Sequence, residues 1–378
     1  MLAKLMPTTI VKKDLQLYFT KNLMEWHGKS NKRIMPWKGE KDPYKIWISE
    51  IILQQTRVLQ ALSYYNNFIN QFPTLESLAK AEDNVVFKLW EGLGYYSRCK
   101  NILFTARHII NTPGGKFPNS YEEILGLKGI GPYTAAAISS FAYGLPHAVV
   151  DGNVFRVLAR YFGETVPIDC AKGKAHFTTL ANKVLYKPDP GSYNQAIMDF
   201  GATICKPQIA ECQHCVLQKN CAAFKNGLVN KLPVKEKKLQ KSKRWFYYFI
   251  FLCKNDVLIN KRKENDIWQN LHEFYLYEYD KPAEWTSATI DQWLKEQLGI
   301  KNYRLLHVSQ KFHQQLTHQH LQGQFFLIDL ATIPKPLQHF DLIKIYDLHL
   351  LAFPKFINSY LQLHPLKARQ DEVIAAEQ

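Results

Sequence analysis

Residues 127–134 read L-K-G-I-G-P-Y-T and run directly into T-A-A-A-I-S-S-F, residues 134–141. Two glycines one residue apart, then a proline, mark a tight turn that opens a helix, because proline suits the first helical position. Gly129 and Gly131 are expected to take positive φ and to expose successive backbone N–H groups. Near the positive end of the small-residue helix 134–141, such donors suit one phosphate. Alone, a G-x-G between helices is more often just a tight turn than a DNA-binding site. Its surroundings decide.

On both sides of this hairpin, helical signals follow one another to about residue 224. Asp42 before Pro43 is an N-cap with proline at the first position, predicting a segment from Tyr44 towards Phe68. Pro73 and Thr74 start another helix, and Gly92, Gly94 and Tyr95 interrupt the pattern near Ser97. Ser120 with Glu123 is a capping box for a short helix that stops at Gly126. Further helices are expected over 154–162, 174–186 and 193–204.

Cys205, Cys212, Cys215 and Cys221 are spaced C-x6-C-x2-C-x5-C. Four soft thiolates in one short loop can enclose a tetrahedral zinc or cap an iron–sulfur cube. Zinc sites usually use two C-x2-C knuckles, and only Cys212 and Cys215 make one. The longer gaps favour the larger object, a [4Fe–4S] cluster, over zinc. Cys99, Cys170 and Cys253 are scattered, which does not resemble a disulfide framework.

A chain of 378 residues exceeds one ordinary core, so two domains are expected. A hydrophobic content of 46% excludes general disorder, and no apolar run reaches a membrane span. The N-terminus lacks the apolar core of a secretory signal, which makes the cytoplasm the expected compartment. The net charge of +15 and pI near 9.3 favour a polyanionic partner.

The organisation expected is a helical domain over 1–225, a basic linker over 226–244 and a second domain over 245–378. The linker, NGLVNKLPVKEKKLQKSKR, is lysine-rich without apolar periodicity. It reads as a solvated tether that can also meet phosphates. From Trp245 the period changes: W-F-Y-Y-F-I-F-L-C, V-L-I-N, L-H-E-F-Y-L-Y-E-Y, Y-R-L-L-H-V-S-Q-K-F and Q-F-F-L-I-D-L read as strands, with a helix over 289–298. This tail is an α+β domain.

Taken together, the hairpin, the aspartate of V-V-D-G-N-V (149–154) and the trailing cysteine loop resemble the endonuclease III superfamily of helix–hairpin–helix DNA glycosylases. Within it, W-I-S-E-I-I-L-Q-Q-T (47–56), W-E-G-L-G-Y-Y-S-R (90–98), G-P-Y-T-A (131–135) and V-D-G-N-V-F-R (150–156) resemble the adenine DNA glycosylase (MutY) family. The resemblance covers most of residues 30–224 in order. It implies an all-α helix–hairpin–helix domain with an iron–sulfur loop, followed by an α+β Nudix-like domain that recognises the lesion. The implied function is excision of adenine mispaired with 8-oxoguanine or guanine in double-stranded DNA, by a monomer.

Cleaving an N-glycosidic bond requires protonation of the leaving base and stabilisation of an oxocarbenium-like sugar, work for two carboxyl groups in different environments. Glu50 lies among Ile46, Trp47, Ile51 and Ile52, where its pKa would rise. From local sequence alone it also reads as a glutamate on an exposed helical stripe. The resemblance makes it the acid that protonates adenine at N7 and later activates water. Asp151 reads locally as a helix cap, and the resemblance adds stabilisation of the cationic sugar. Asn153 would bond to Asp151 or the sugar. Tyr133 stands where relatives that also cut the strand carry a lysine nucleophile. A phenol forms no imine, so little lyase activity is expected.

The target base must leave the stack before Glu50 can reach it. By the same resemblance, Gln55, Leu93 and Tyr95 form the wedge at the opposite base, while Arg33, Lys38 and Gln195 line the adenine pocket. In the tail, I-W-Q-N-L-H-E-F (267–274) is not followed by the R-E-x-x-E-E cluster of a Nudix hydrolase, so binding is favoured over hydrolysis. The lesion-reading turn aligns with Leu316-Thr317-His318, where Thr317 and His318 keep a hydroxyl and an imidazole. Lys311-Phe312-His313 is the alternative alignment. Two rival readings stand: an oxidised-pyrimidine glycosylase/lyase, disfavoured by Tyr133, and a non-catalytic DNA-binding or redox-sensing module, disfavoured by Glu50 and Asp151 occurring together.

Overall fold

The computed structural model of the chain describes residues 13–236 and 241–366. In chain order the helices are α1 (Lys13–Lys29), α2 (Pro43–Leu53), α3 (Val58–Gln71), α4 (Leu75–Ala79), α5 (Asp83–Leu89), α6 (Tyr96–Asn111), α7 (Tyr121–Gly126) and α8 (Pro132–Tyr143). They continue as α9 (Gly152–Phe162), α10 (Ala171–Val184), α11 (Pro190–Thr203) and α12 (Ala222–Lys225). Strand β1 (Ser242–Cys253) takes in the last three residues of the expected linker, and β2 (Asp256–Lys261), β3 (His272–Glu273), β4 (Tyr275–Tyr279) and α13 (Ser287–Leu298) follow. Strands β5 (Arg304–Val308), β6 (Phe312–Gln315), β7 (Gln319–Asp329) and β8 (Asp341–Lys344) precede α14 (Lys355–Leu363). Among the described residues no helix is long and apolar enough to cross a membrane.

Two compact units divide the chain: Met1–Ala79 with Asn101–Lys238, and Lys80–Lys100 with Leu239–Gln378. In the first, caps set the helix starts. The Asp42 carboxylate accepts from Tyr44 N at 2.9 Å, ahead of Pro43. The helix does not continue to Phe68 as expected. It stops at Leu53, Gln55 takes a left-handed φ of 57°, and α3 starts afresh at Val58. Eight of the eleven residues of α2 are buried, so this helix is packed on all sides and has no solvent stripe.

The core of this unit lies between α1, α8, α9, α10 and α11. Phe19 packs on Tyr161 and Phe162 with ring centroids at 4.8 and 5.5 Å, and Trp26 meets Phe200 edge-on at 4.9 Å. Each such buried side chain contributes roughly 1.5–3 kcal/mol. Helices α9 and α11 approach closely because residue 201 is glycine: a Cβ there would lie 2.6 Å from Asn153 Cβ.

The second unit is built on an eight-stranded mixed sheet, with β1 and β7 parallel at its centre and every other pairing antiparallel. Side chains alternate across the sheet. Phe249, Phe251 and Phe326 pack against Ile290, Leu294 and Leu298 of α13. On the other face, Phe325 stacks on Tyr360 of α14 at 4.2 Å and on Tyr248 at 5.3 Å. The stretch expected as one strand over 271–279 divides at Phe274, with β3 pairing to β2 and β4 to β1. The expected strand over 303–312 likewise divides into β5 and the start of β6.

Candidate active site

Glu50 projects from α2 and is only 5% exposed. The Tyr133 hydroxyl, at the start of α8, donates to its Oε2 at 2.7 Å and also lies 3.5 Å from Met198 Sδ. Burial pushes the Glu50 carboxyl up to about 7; the tyrosine hydrogen bond opposes this and the nearby Asp151 charge adds to it. Burial and the two carboxylates push the Tyr133 phenol well above its usual range, so it remains a donor.

Asp151 caps α9, accepting from Val154 N at 2.8 Å and Asn153 Nδ2 at 2.7 Å. Burial raises its pKa, while those two donors and Arg156 favour its ionised form. The two carboxyl groups therefore differ in environment, with two strong donors on Asp151 and one phenol on Glu50. The hydrogen bonds to Asp151 oppose the effect of its burial through more donors than the one on Glu50. Arg156 holds Asn153 in place by donating to its Oδ1 at 2.8 Å, to Gly201 O at 2.6 Å and to Cys205 O at 2.7 Å.

Beside Glu50 a cleft of about 190 Å³ is lined by His27, Trp37, Lys38, Ser49, Phe141 and Gln195, among others. Arg33, Lys38 and Gln195 converge on Asp199, a side chain the sequence reading missed. Its fully buried carboxylate accepts from Arg33 at 2.8 Å, Lys38 at 3.2 Å, Gln195 at 3.0 Å and Asn31 at 2.8 Å. The i, i+4 spacing of Gln195 and Asp199 on α11 was the one available signal, and it does not announce a buried charge. Arg33 is thus an arm of an ion-pair network, and Lys38 and Gln195 both join that network and face the cleft.

The hairpin departs from expectation at one position. Gly129 has φ 83°, and a Cβ there would meet Asn101 Cβ at 2.6 Å. Gly131 does not take positive φ; it is extended (φ −97°, ψ 176°) and is the N-cap of α8, with no side-chain cap. With Pro132 fixing the first helical residue, an extended cap already starts the helix. Of the wedge candidates, Gln55 and Tyr95 are exposed and both left-handed, at φ 57° and 49°. Such strain costs roughly 1–3 kcal/mol per residue and tends to cluster at functional sites. Leu93, by contrast, is turned inward at 7% exposure and would have to leave its packing to act as a wedge.

The four thiols of Cys205, Cys212, Cys215 and Cys221 are free of disulfides. Burial pushes Cys215 up to about 12 and raises Cys212 and Cys221; the neighbouring thiols add to this, and backbone donors at Cys215 and Cys221 oppose it. By donor chemistry alone, four thiols in one loop are the soft ligand set that an iron–sulfur or zinc centre takes. Among the described residues, no group of three or more His, Cys, Asp or Glu side chains is placed to hold a metal ion. Arg160 stitches the loop, donating to Cys205 Sγ at 3.4 Å, Lys206 O at 2.7 Å and Leu232 O at 3.0 Å. Lys206 is paired with Glu211 at 2.7 Å.

In the second unit, Thr317 and His318 are exposed at the tip of the β6–β7 hairpin, and the Thr317 hydroxyl is hydrogen-bonded to the Tyr95 hydroxyl. Phe312 instead points into the core against Phe325 and Tyr360. Phe312 and His313 therefore lie on β6, while 316–318 forms the turn.

Residues 48–169 match the HhH-GPD superfamily of base excision DNA repair proteins, and residues 247–363 match the NUDIX domain. Hairpin, helical core and buried carboxylate site together define a helix–hairpin–helix DNA repair glycosylase carrying a Nudix-like tail. A solved thermostable thymine-DNA glycosylase superposes with a TM-score of 0.53 at 28% identity, over 57% of this chain and 99% of that one. An adenine DNA glycosylase of Buchnera aphidicola from Schizaphis graminum is 33% identical over 353 residues, 91% of this chain and 98% of its own. The human adenine DNA glycosylase is 37% identical over 214 residues, 54% of this chain and 39% of its own. The chain belongs to the adenine DNA glycosylase family.

Proposed function

We propose that this protein excises adenine mispaired with 8-oxoguanine or guanine from double-stranded DNA, as a monofunctional, monomeric base-excision glycosylase of the cytoplasm. The observation that carries this reading is the buried Glu50, raised to about 7 and hydrogen-bonded by Tyr133, at the wall of a base-sized cleft.

In this reading the flipped adenine enters the cleft beside Lys38 and Gln195. Protonated Glu50 donates to N7, so the base departs neutral, and ionised Asp151, oriented by Asn153, stabilises the positive sugar. Glu50, now a carboxylate, takes a proton from the water that adds to the sugar. Tyr133 holds Glu50 in place and offers no amine, so no Schiff base forms and the strand stays intact.

The N–H groups around Gly129 and Gly131 hold a DNA phosphate. Gln55, Leu93 and Tyr95 form the wedge at the opposite base. Thr317 and His318 read 8-oxoguanine. A [4Fe–4S] cluster on Cys205, Cys212, Cys215 and Cys221 would cross-link the loop and fix its shape without touching the reacting bond.

A panel of duplexes tests the assignment: adenine opposite 8-oxoguanine, adenine opposite guanine, thymine glycol opposite adenine, and undamaged pairs. Release of adenine from the first two is expected. Release of thymine glycol instead would favour the oxidised-pyrimidine rival.

A further inference from the structure

The turn that carries Tyr95 is strained, and the Glu91 carboxylate joins it to the 351–353 segment. Tyr95 has φ 49°, within a turn closed by Gly92 N donating to the Tyr96 hydroxyl at 3.1 Å and Trp90 Nε1 donating to Gly94 O at 3.1 Å. Strained residues persist only where surrounding contacts over-determine them. Several of those contacts lie within the second unit, to which Lys80–Lys100 belongs.

Glu91 uses both carboxylate oxygens. Its Oε1 accepts from Phe353 N at 2.7 Å and its Oε2 from Lys88 Nζ at 2.9 Å, while Lys88 also donates to Leu351 O at 2.8 Å. The segment 351–353 is anchored on its other side, where Ala352 O accepts from His272 N of β3 at 2.9 Å and the buried Phe353 ring packs on Phe274. An unbroken path therefore runs from β3 through 351–353 and Glu91 to the Tyr95 turn. The far end of that turn reaches the same unit again through the Tyr95–Thr317 hydroxyl pair.

We propose that Glu91 is a positioning residue for opposite-base discrimination: its carboxylate clasps the Tyr95 turn to the 351–353 segment and so holds the Tyr95 ring in register with the Thr317 hairpin. A hydrogen bond with an ionised partner is stronger than a neutral one, and this acceptor serves an otherwise unpaired backbone donor. The inference rests on the reading above that Tyr95 and Thr317 meet the base opposite adenine.

The test uses the full chain with two readouts. In hydrogen exchange without DNA, Glu91→Ala is expected to speed exchange of the amides of Gly92–Tyr96 about tenfold. Glu91→Gln keeps an acceptor for Phe353 N and should lie nearer wild type. In single-turnover assays, Glu91→Ala should lower the ratio of rates on adenine opposite 8-oxoguanine over adenine opposite guanine by about tenfold. Unchanged exchange overturns the clasp, and unchanged selectivity with faster exchange overturns its role in discrimination. A wild-type protein without preference between the two duplexes overturns the reading beneath it, and with it the discrimination role, while the exchange experiment still decides the clasp.

Discussion

The Tyr133 hydroxyl donates to Glu50 Oε2 at 2.7 Å, joining the first turn of α8 to the middle of the fully packed helix α2. This bond decides two properties of Glu50 at once. It fixes the carboxyl's orientation, and it partly offsets the burial that holds its pKa near 7.

The pH dependence follows from that value. In the proposed mechanism protonated Glu50 is the acid, so adenine release should fall as pH rises through about 7. Stability carries the same signature. The folded state holds the Glu50 proton that the unfolded chain releases near 4.5, so this contribution is full below 4.5 and lost as pH rises to about 7. Denaturant titrations at several pH values should show that loss in wild type and not in Glu50→Gln.

Tyr133→Phe removes the hydrogen bond that lowers the Glu50 pKa. The alkaline limb of the rate profile should move to higher pH, with a rate loss of about tenfold at the optimum from the less ordered carboxyl. An unchanged profile would detach Tyr133 from Glu50. Borohydride should trap little covalent complex with wild type, whereas Tyr133→Lys is expected to gain some.

The two hairpin glycines should behave differently. Gly129→Ala places a Cβ at 2.6 Å from Asn101 in a left-handed backbone, and should cost roughly 2–4 kcal/mol by thermal or denaturant unfolding. Gly131→Ala has open space and an ordinary φ, so stability should change little while DNA affinity falls. Equal destabilisation by both substitutions would contradict the assigned backbone roles.

The sequence showed the fold mostly where short-range chemistry sets it. Asp42, Ser120 and Asp151 each cap the helix that follows them. The break at Gln54–Arg57 was hidden, because Gln55 enters the left-handed region without being glycine. Asp199 was hidden because the cations around it come from residues more than 150 positions away. The grouping of Lys80–Lys100 with the C-terminal unit was illegible for the same reason: Glu91 finds its partner at Phe353. Glu50 and Tyr133, 83 positions apart, could be paired only through resemblance until the geometry joined them.

The cysteine loop makes a chemical prediction. Purified protein should absorb visible light and contain iron and acid-labile sulfide in equal amounts, and Cys212→Ser should bleach it and loosen the loop. A colourless protein holding zinc would restore the alternative that the spacing left open.

Adenine release from a duplex carrying adenine opposite 8-oxoguanine, compared between wild type and Glu50→Gln under single-turnover conditions with DNA affinity measured in parallel, tests the role of Glu50 most directly. Wild type should release adenine, and Glu50→Gln should bind the duplex comparably while losing about 10²–10⁴-fold in rate. Turnover retained by Glu50→Gln, or no adenine released by wild type, would contradict the assignment.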